Sequence, residues 1–336
     1  MRLGINILVF IFFSSYANCE DNVISEKSKM TFAGLVHIQY LTSNIKDIGY
    51  NNTFTLKRAE LGADFKNTIL HGNIQVNFGQ GVLQLKDGYG DLQFSPTINL
   101  KLGQYKKPFS LLALTGDSKD MFIEKGNNTI GADKTGMFDY ASTLKYSGRD
   151  VGAMVYGQIR TIDYAIGVFN GNGDNKKYDE DSGKQCVGRI VLKPIKDVGV
   201  GISASNLYKD KETYQAFNVD VEYKKGDFWF QGETDYGNNY IISDTTYFMG
   251  IGLILGKWIK VNLGHIYSLF PALRFDYTFS DKDDGETANM LVTPGININF
   301  DEHSYHRLML NLDVNQPLKE NTDIQLGFKM QLQILI

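Results

Sequence analysis

Nowhere does this chain hold an apolar run approaching the roughly 18–20 residues that a membrane-crossing helix needs. Its most apolar stretch, Ile5–Phe13, is much shorter and sits at the N-terminus. A helical span is thereby excluded. Proline is scarce, with 6 residues, so few positions force a break in a β-ladder. Cysteine is scarcer still. Cys19 and Cys186 are the two present, and if Cys19 belongs to a removed leader no internal disulfide remains, which leaves stability to strand pairing. Neither sign of charge dominates: the net charge is −4, and no nucleic-acid partner is expected. No serine sits in a nucleophile elbow and no Cys–His pair is evident. The acidic run Asp174, Asp179, Glu180 and Asp181 lacks EF-hand spacing. His303 and His306 point to opposite faces if they share a strand. No enzymatic activity, cofactor or metal is expected.

What is present is aromatic and glycine-rich: 19 Tyr, 21 Phe and 34 Gly, a composition that suits many strands and tight turns. The closing stretch, Asp323–Ile336, sets the pattern. Ile324, Leu326, Phe328, Met330, Leu332, Ile334 and Ile336 share one parity, opposed by Asp323, Gln325, Gly327, Lys329, Gln331 and Gln333. A period of two over this length is a strand with one apolar and one wet face. It is about twice the ~5–6 residues usual in soluble sheets and suits a tilted bilayer crossing of about 9–11 residues. A strand between lipid and water must have both edges paired, which implies a closed barrel. A long sandwich strand alternates too. However, His71, Asn73, Gln75 and Asn77 in succession on one face fit a water-filled barrel wall better than a sandwich core. Mean hydropathy, −0.23, is compatible with a barrel because half of each strand faces water.

Residues 1–19 read as a signal peptide, with Arg2, the apolar run and then small residues, cleaved after Ala17 or Cys19. Residues 20–30 form a polar periplasmic lead, and 31–336 a barrel of the bacterial outer membrane. Strand-like segments then recur, separated by long polar connectors, Tyr208–Thr213 among them, that alternate with short turns. The pattern gives an all-β, transmembrane antiparallel barrel of about 16 strands, or about 18 if Trp258–Tyr267 and Tyr140–Tyr146 both cross. The alternation fails in Leu83–Phe94, where Lys86, Gly88 and Gly90 occupy the parity that should be apolar. It breaks again over 106–148, which is far too long for a hairpin loop. That segment carries enough apolar residues (Phe109, Leu111, Leu112, Phe122) to pack inside something.

A family resemblance follows from motif order. LKDGY at Leu85–Tyr89, FSPTINLKLGQYKKPFSLL at Phe94–Leu112 and TGDSKDMFIEKGN at Thr115–Asn127 resemble the strand–turn–strand–constriction-loop core of the phosphate-selective porin O and P family. KRAELG at Lys57–Gly62, GRDVGAMVYG at Gly148–Gly157, YAIGVFNGNGDNK at Tyr164–Lys176 and GRIVLKP at Gly188–Pro194 fit in order. The resemblance implies a 16-stranded outer-membrane barrel, typically a homotrimer, with the loop after GQYKKPF folded into the pore. Lys57 and Arg58 match the family's basic pair and Asp87 its strand aspartate. The loop lysine expected past the Pro-Phe turn is replaced by Leu112 or Ala113, a departure from the phosphate-selective pattern.

Arg58, Lys101, Lys106, Lys107, Lys119 and Lys125 are candidates for a positive constriction, because an ion shedding water needs a compensating field. Glu60, Asp64 and Asp87 would offset them. The function expected is passive diffusion of small hydrophilic solutes, with anions or phosphate as the preferred class and outer-membrane lipid as the surroundings. A surface-interaction barrel with adhesive loops is the alternative, and a barrel enzyme a more remote one.

Overall fold

The computed structural model describes residues 28–336 except 47, 48, 128, 180–182, 244, 281–286 and 320. The leader, most of the polar lead, and Glu180 and Asp181 of the acidic run therefore lie outside the described residues.

The alternation becomes a wall. The strands are β1 (Lys29–Ser43), β2 (Asn52–Lys66), β3 (Leu70–Asn77), β4 (Gln84–Ser95), β5 (Ile98–Lys106), β6 (Arg149–Ile159), β7 (Ile162–Phe169), β8 (Gln185–Ile195) and β9 (Val198–Lys209). They continue with β10 (Glu212–Lys225), β11 (Phe228–Asn238), β12 (Tyr247–Lys257), β13 (Ile259–Leu263), β14 (Ile266–Ser280), β15 (Thr287–Asn299), β16 (Arg307–Pro317) and β17 (Gln325–Leu335). Each pairs antiparallel with its neighbours, and β1 pairs with both β2 and β17. At the seam Gly34 and Ile336 exchange two backbone hydrogen bonds of 2.8 Å. Among the described residues no strand edge is left open, as lipid demands.

The wall is a closed 16-strand barrel with one extra strand. β13 continues β12 beyond Trp258 against the same partner, β14, in the same register. Trp258–Tyr267 is thus the end of one crossing, a turn and the start of the next. Tyr140–Tyr146 is no strand either: helix α2, Met137–Thr143, covers most of it. The larger count of strands fails on both segments. Tyr208–Thr213, expected as a long connector, is a two-residue turn in which Asp210 and Lys211 both have positive φ, the geometry that matches the twist of a hairpin.

Burial is inverted relative to a soluble protein. Phe32, Phe54, Leu61 and Ile74 lie on the surface, while Gln39, Asn297, Gln331 and Gln333 are fully enclosed. Outward apolar side chains meet hydrocarbon, and inward polar ones must find partners. They do so in pairs such as His37–Gln333 at 3.0 Å and Gln39–Gln331 at 2.7 Å. Arg189 grips Asp220 with bonds of 2.5 and 2.8 Å.

Two irregularities shape the lumen. In β2 the pairing passes from His37–Arg58 to Ile38–Leu56 and leaves Lys57 as an extra residue. A bulge of this kind lets two successive side chains point the same way, and Lys57 and Arg58 both turn inward. Asn77 Oδ1 supports it by accepting from the Ala59 and Gly79 amides, 3.0 Å each. Gly79 lies so close to the Lys57 carbonyl that a Cβ would not fit. In β4 the pairing jumps from Ile74–Gly88 to Val76–Leu85, setting Lys86 and Asp87 against Gln75 alone. This bulge explains the broken alternation of Leu83–Phe94. Gln104 Nε2 takes up the Leu85 and Lys86 carbonyls at 2.7 and 3.0 Å.

Candidate functional site

The connector between β5 and β6 folds into the barrel and crosses it. At its base Lys107 is completely buried. Its Nζ donates to the Lys145 carbonyl at 2.5 Å and to Gln185 Oε1 at 2.7 Å, and lies 3.6 Å from Asp150. Burial lowers this ammonium to about 8, although Asp150 opposes the shift. Lys107 therefore clamps the root of the loop and does not face the lumen.

Beyond it a four-residue helix, α1 (Leu111–Leu114), is tied to the wall by Glu233 of β11. Glu233 accepts from Ser110 Oγ and, at 2.9 Å, from the Leu112 amide. On the far wall Arg307 donates to the carbonyls of Ser118 and Asp120 at 3.0 and 2.6 Å. Arg274 donates to those of Glu124 and Lys125 at 2.5 and 3.1 Å. Asn311 Oδ1 accepts from the Ile123 amide at 2.8 Å. The inward arginines of β14 and β16 thus bind loop backbone.

Apolar contacts complete the attachment. Leu112, Phe122 and Met137 pack with Trp229, Ile254 and Phe270, while Phe109, Leu144 and Tyr146 pack with Phe169, Leu207 and Phe248. The inward parity of β12 makes room by being Gly250, Gly252 and Gly256 around Ile254. A Cβ on Gly250 would overlap the Met137 side chain of α2.

Where the loop meets β2, β4 and β5 the charges converge in what is here termed the waist. Lys57 reaches Glu124 at 2.9 Å, and Arg58 reaches Asp117 at 3.2 Å and Glu60 at 3.6 Å. Arg149 holds Asp87, and Lys125 lies 3.5 Å from Asp120. Lys106 and Lys125 also share the carbonyls at the end of α1, acceptors that a helix terminus leaves open. Lys106 Nζ bonds Ala113 and Thr115 at 2.8 and 2.6 Å, and Lys125 Nζ bonds Leu112 and Thr115 at 2.8 and 2.5 Å. Leu112 and Ala113, one or the other of which stands where the resemblance leads one to expect a lysine, are both buried and apolar, and Lys125 brings a cation to the Leu112 carbonyl from further along the loop.

Burial pushes the Asp117 carboxyl up, but Arg58, Lys125, Lys106 and Lys86 outweigh it and hold it well below the usual range. Burial pushes Asp120 up to about 6, against the pull of Lys125 and with the repulsion of Asp117. Burial likewise opposes ionisation of Glu124, but Lys57 and Lys329 lower it overall.

Of the predicted residues, Lys57, Arg58, Asp87, Lys106 and Lys125 come together here. Lys119 is exposed on a short 3₁₀ turn, Asp117–Lys119. Lys101 stands apart among tyrosines. Sequence reasoning passed over Lys86, Arg149, Asp117, Asp120 and Glu124; the broken alternation around Lys86 was the available signal. Two cavities of about 570 and 400 Å³ adjoin the waist, and Asp87, Lys106 and Leu114 line both.

A family model described as phosphate-selective porin O and P matches residues 34–241. No curated protein matches the chain in sequence. Solved structures share the fold at low identity. An anion-selective porin from Comamonas acidovorans is 12% identical, with 92% of this chain and 100% of that one aligned and a TM-score of 0.64. The Salmonella typhi OmpF complex with daunomycin is 12% identical over 93% and 99% of the two chains, at 0.66. The trimer form of in-vitro folded OmpT of Vibrio cholerae is 12% identical over 93% and 100%, at 0.64.

Proposed function

The chain belongs to the phosphate-selective porin O and P family and is a diffusion channel of the bacterial outer membrane; from that premise we propose that its waist favours small anions over cations without being restricted to phosphate. One observation carries the reading. Each carboxylate at the waist, Glu60, Asp87, Asp117, Asp120 and Glu124, has a cationic partner. Among the described residues, neither Lys86 nor Lys106 forms an ion pair with a carboxylate. Arg58 serves both Glu60 and Asp117, so Lys57, Arg58, Lys86, Lys106, Lys125 and Arg149 exceed these five carboxylates by one charge; the local field is positive although the chain as a whole is negative, and the narrowest ring governs which ions enter.

Lys106 spends part of its hydrogen-bonding capacity on α1 carbonyls, and Leu112 offers no charge. Both features argue for a general attraction of anions over a cage fitted to phosphate. Solutes pass down their gradients, shedding some water between the loop and the β2–β5 wall. Homotrimeric assembly fits the symmetry usual in such oligomers and is supported by the trimer form of the Vibrio cholerae protein. The test is the reversal potential across planar bilayers in a potassium chloride gradient. Chloride preference supports the reading and potassium preference overturns it.

A further inference from the structure

The larger cavity has a feature that simple anion attraction does not use. Its wall carries Lys101 of β5, whose Nζ lies 4.2 Å from the ring centre of Tyr89, 5.3 Å from that of Tyr156 and 5.5 Å from that of Tyr105. Aromatic faces hold an ammonium in place electrostatically, but they accept none of its N–H bonds in the ordinary way. Among the described residues this ammonium has no hydrogen-bond acceptor and no ion-pair partner, so its donors remain available to whatever fills the cavity. Of the other charges lining that space, Asp87 is committed to Arg149, Asp163 to Lys193 and Arg189 to Asp220, while Lys106 spends its donors on the carbonyls at the end of α1.

The tyrosines are fixed by contacts of their own. Tyr156 donates to Asp91 at 2.5 Å, and Tyr105 packs edge-on against Tyr89 at 5.9 Å. Tyr164 donates to the Thr97 carbonyl at 2.6 Å. Together with Pro96 and Met154 they give the cavity a preorganised apolar wall beside a positioned cation. Its volume, about 570 Å³, falls within the range of small-molecule sites.

We propose that this cavity is a binding subsite for small organic anions that carry a flat ring, such as aromatic carboxylates or aryl phosphates. The acid group would meet Lys101 and the ring would lie along the tyrosine wall. An inorganic anion satisfies the cation and leaves the aromatic surface wet; a neutral ring leaves the ammonium unanswered. The proposal deepens the channel reading by naming a solute class, and it requires only that the cavity be reached from water.

The test is equilibrium titration calorimetry on refolded, detergent-solubilised protein, with phenyl phosphate and orthophosphate as the probes. Wild type should bind phenyl phosphate at least about tenfold more tightly than orthophosphate, the scale of one good aromatic contact. Tyr89→Leu should remove that advantage and leave orthophosphate unchanged, while Tyr89→Phe, which keeps the ring, should retain it. Lys101→Met should weaken phenyl phosphate by about tenfold. Equal affinity for the two probes, no binding of phenyl phosphate, or indifference to Tyr89→Leu would overturn the proposal. The ion preference of the waist is read separately in potassium chloride, where neither probe is present, so either idea can fail alone.

Discussion

Arg149 grips Asp87 with two parallel hydrogen bonds, Nε to Oδ1 and Nη2 to Oδ2, each 3.0 Å long. The bidentate fork fixes the carboxylate and cancels its charge locally. Lys86, the preceding residue, is turned into the lumen by the β4 bulge and gains no such partner among the described residues. It feels Arg58 and Arg149 as well as Asp117 and Glu60. Lys86→Gln should lower the chloride-to-potassium permeability ratio by about fivefold, corresponding to roughly 1 kcal/mol for a unit charge at contact in water. Lys86→Glu, a change of two charges, should give about twice that shift on a logarithmic scale. Reversal potentials in a salt gradient measure both, and an unchanged ratio would remove Lys86 from the waist.

The seat of α2 on β12 gives a second expectation. Gly250 and Gly252 leave the space that Met137 fills, and overpacking of such contacts costs about 1–3 kcal/mol. Gly250→Leu should therefore lift α2 from the wall while leaving the barrel closed, since the β12 ladder does not involve the added side chain. Limited proteolysis in detergent should show new cleavage within 107–148 and an intact barrel. Adding Met137→Ala should restore protection. If Gly250→Leu stays as resistant as wild type, the glycine face does not hold the loop.

Barrel topology was legible because lipid and water impose opposite demands on alternate residues, and β17 displays that division with little interruption. The bulges were illegible for the same reason. An extra residue in β2 or β4 shifts the parity, so Lys86 looks like noise until the pairing with Gln75 is known. The loop's length and apolar content announced that it packs inside, but its partners lie far away in sequence. Nothing in the sequence ties Arg274 or Arg307 to the loop, and only the fold brings loop carbonyls to their guanidinium groups. Lys107 and Lys106 are adjacent and of one type. One is enclosed at the loop base and the other reaches α1, a distinction set by where β5 ends and not by either residue's chemistry.

Glu233 supplies a third test. Ser110 adopts a positive φ of 68°, a conformation that costs a non-glycine residue about 1–3 kcal/mol. Its hydroxyl and the Leu112 amide both donate to Glu233, and a hydrogen bond of this kind contributes about 0.5–1.5 kcal/mol. Glu233→Ala should free the start of the loop, giving larger single-channel conductance with more open-state noise. Thermal unfolding of the barrel should move little, because strand pairing is untouched. Glu233→Gln, which keeps one acceptor, should fall between. A quiet channel of unchanged conductance in the alanine variant would show that the loop is held elsewhere.

Asp120 makes the waist sensitive to pH, and the sign follows from its environment. Burial raises the carboxyl to about 6, above its ordinary value, so it is ionised at pH 7.5 and neutral at pH 5. As it takes up a proton, Lys125 loses its carboxylate partner while Asp117, held well below the usual range by Arg58 and the neighbouring lysines, keeps its charge. The waist gains about one positive charge as pH falls through 6, and the chloride-to-potassium permeability ratio should rise by about threefold to fivefold, on the scale of one partly screened unit charge. Asp120→Asn should raise the ratio at pH 7.5 and remove the step centred near pH 6. A titration that persists unchanged in Asp120→Asn would assign the effect to another group. A ratio that falls on acidification would contradict the charge arrangement derived for the waist.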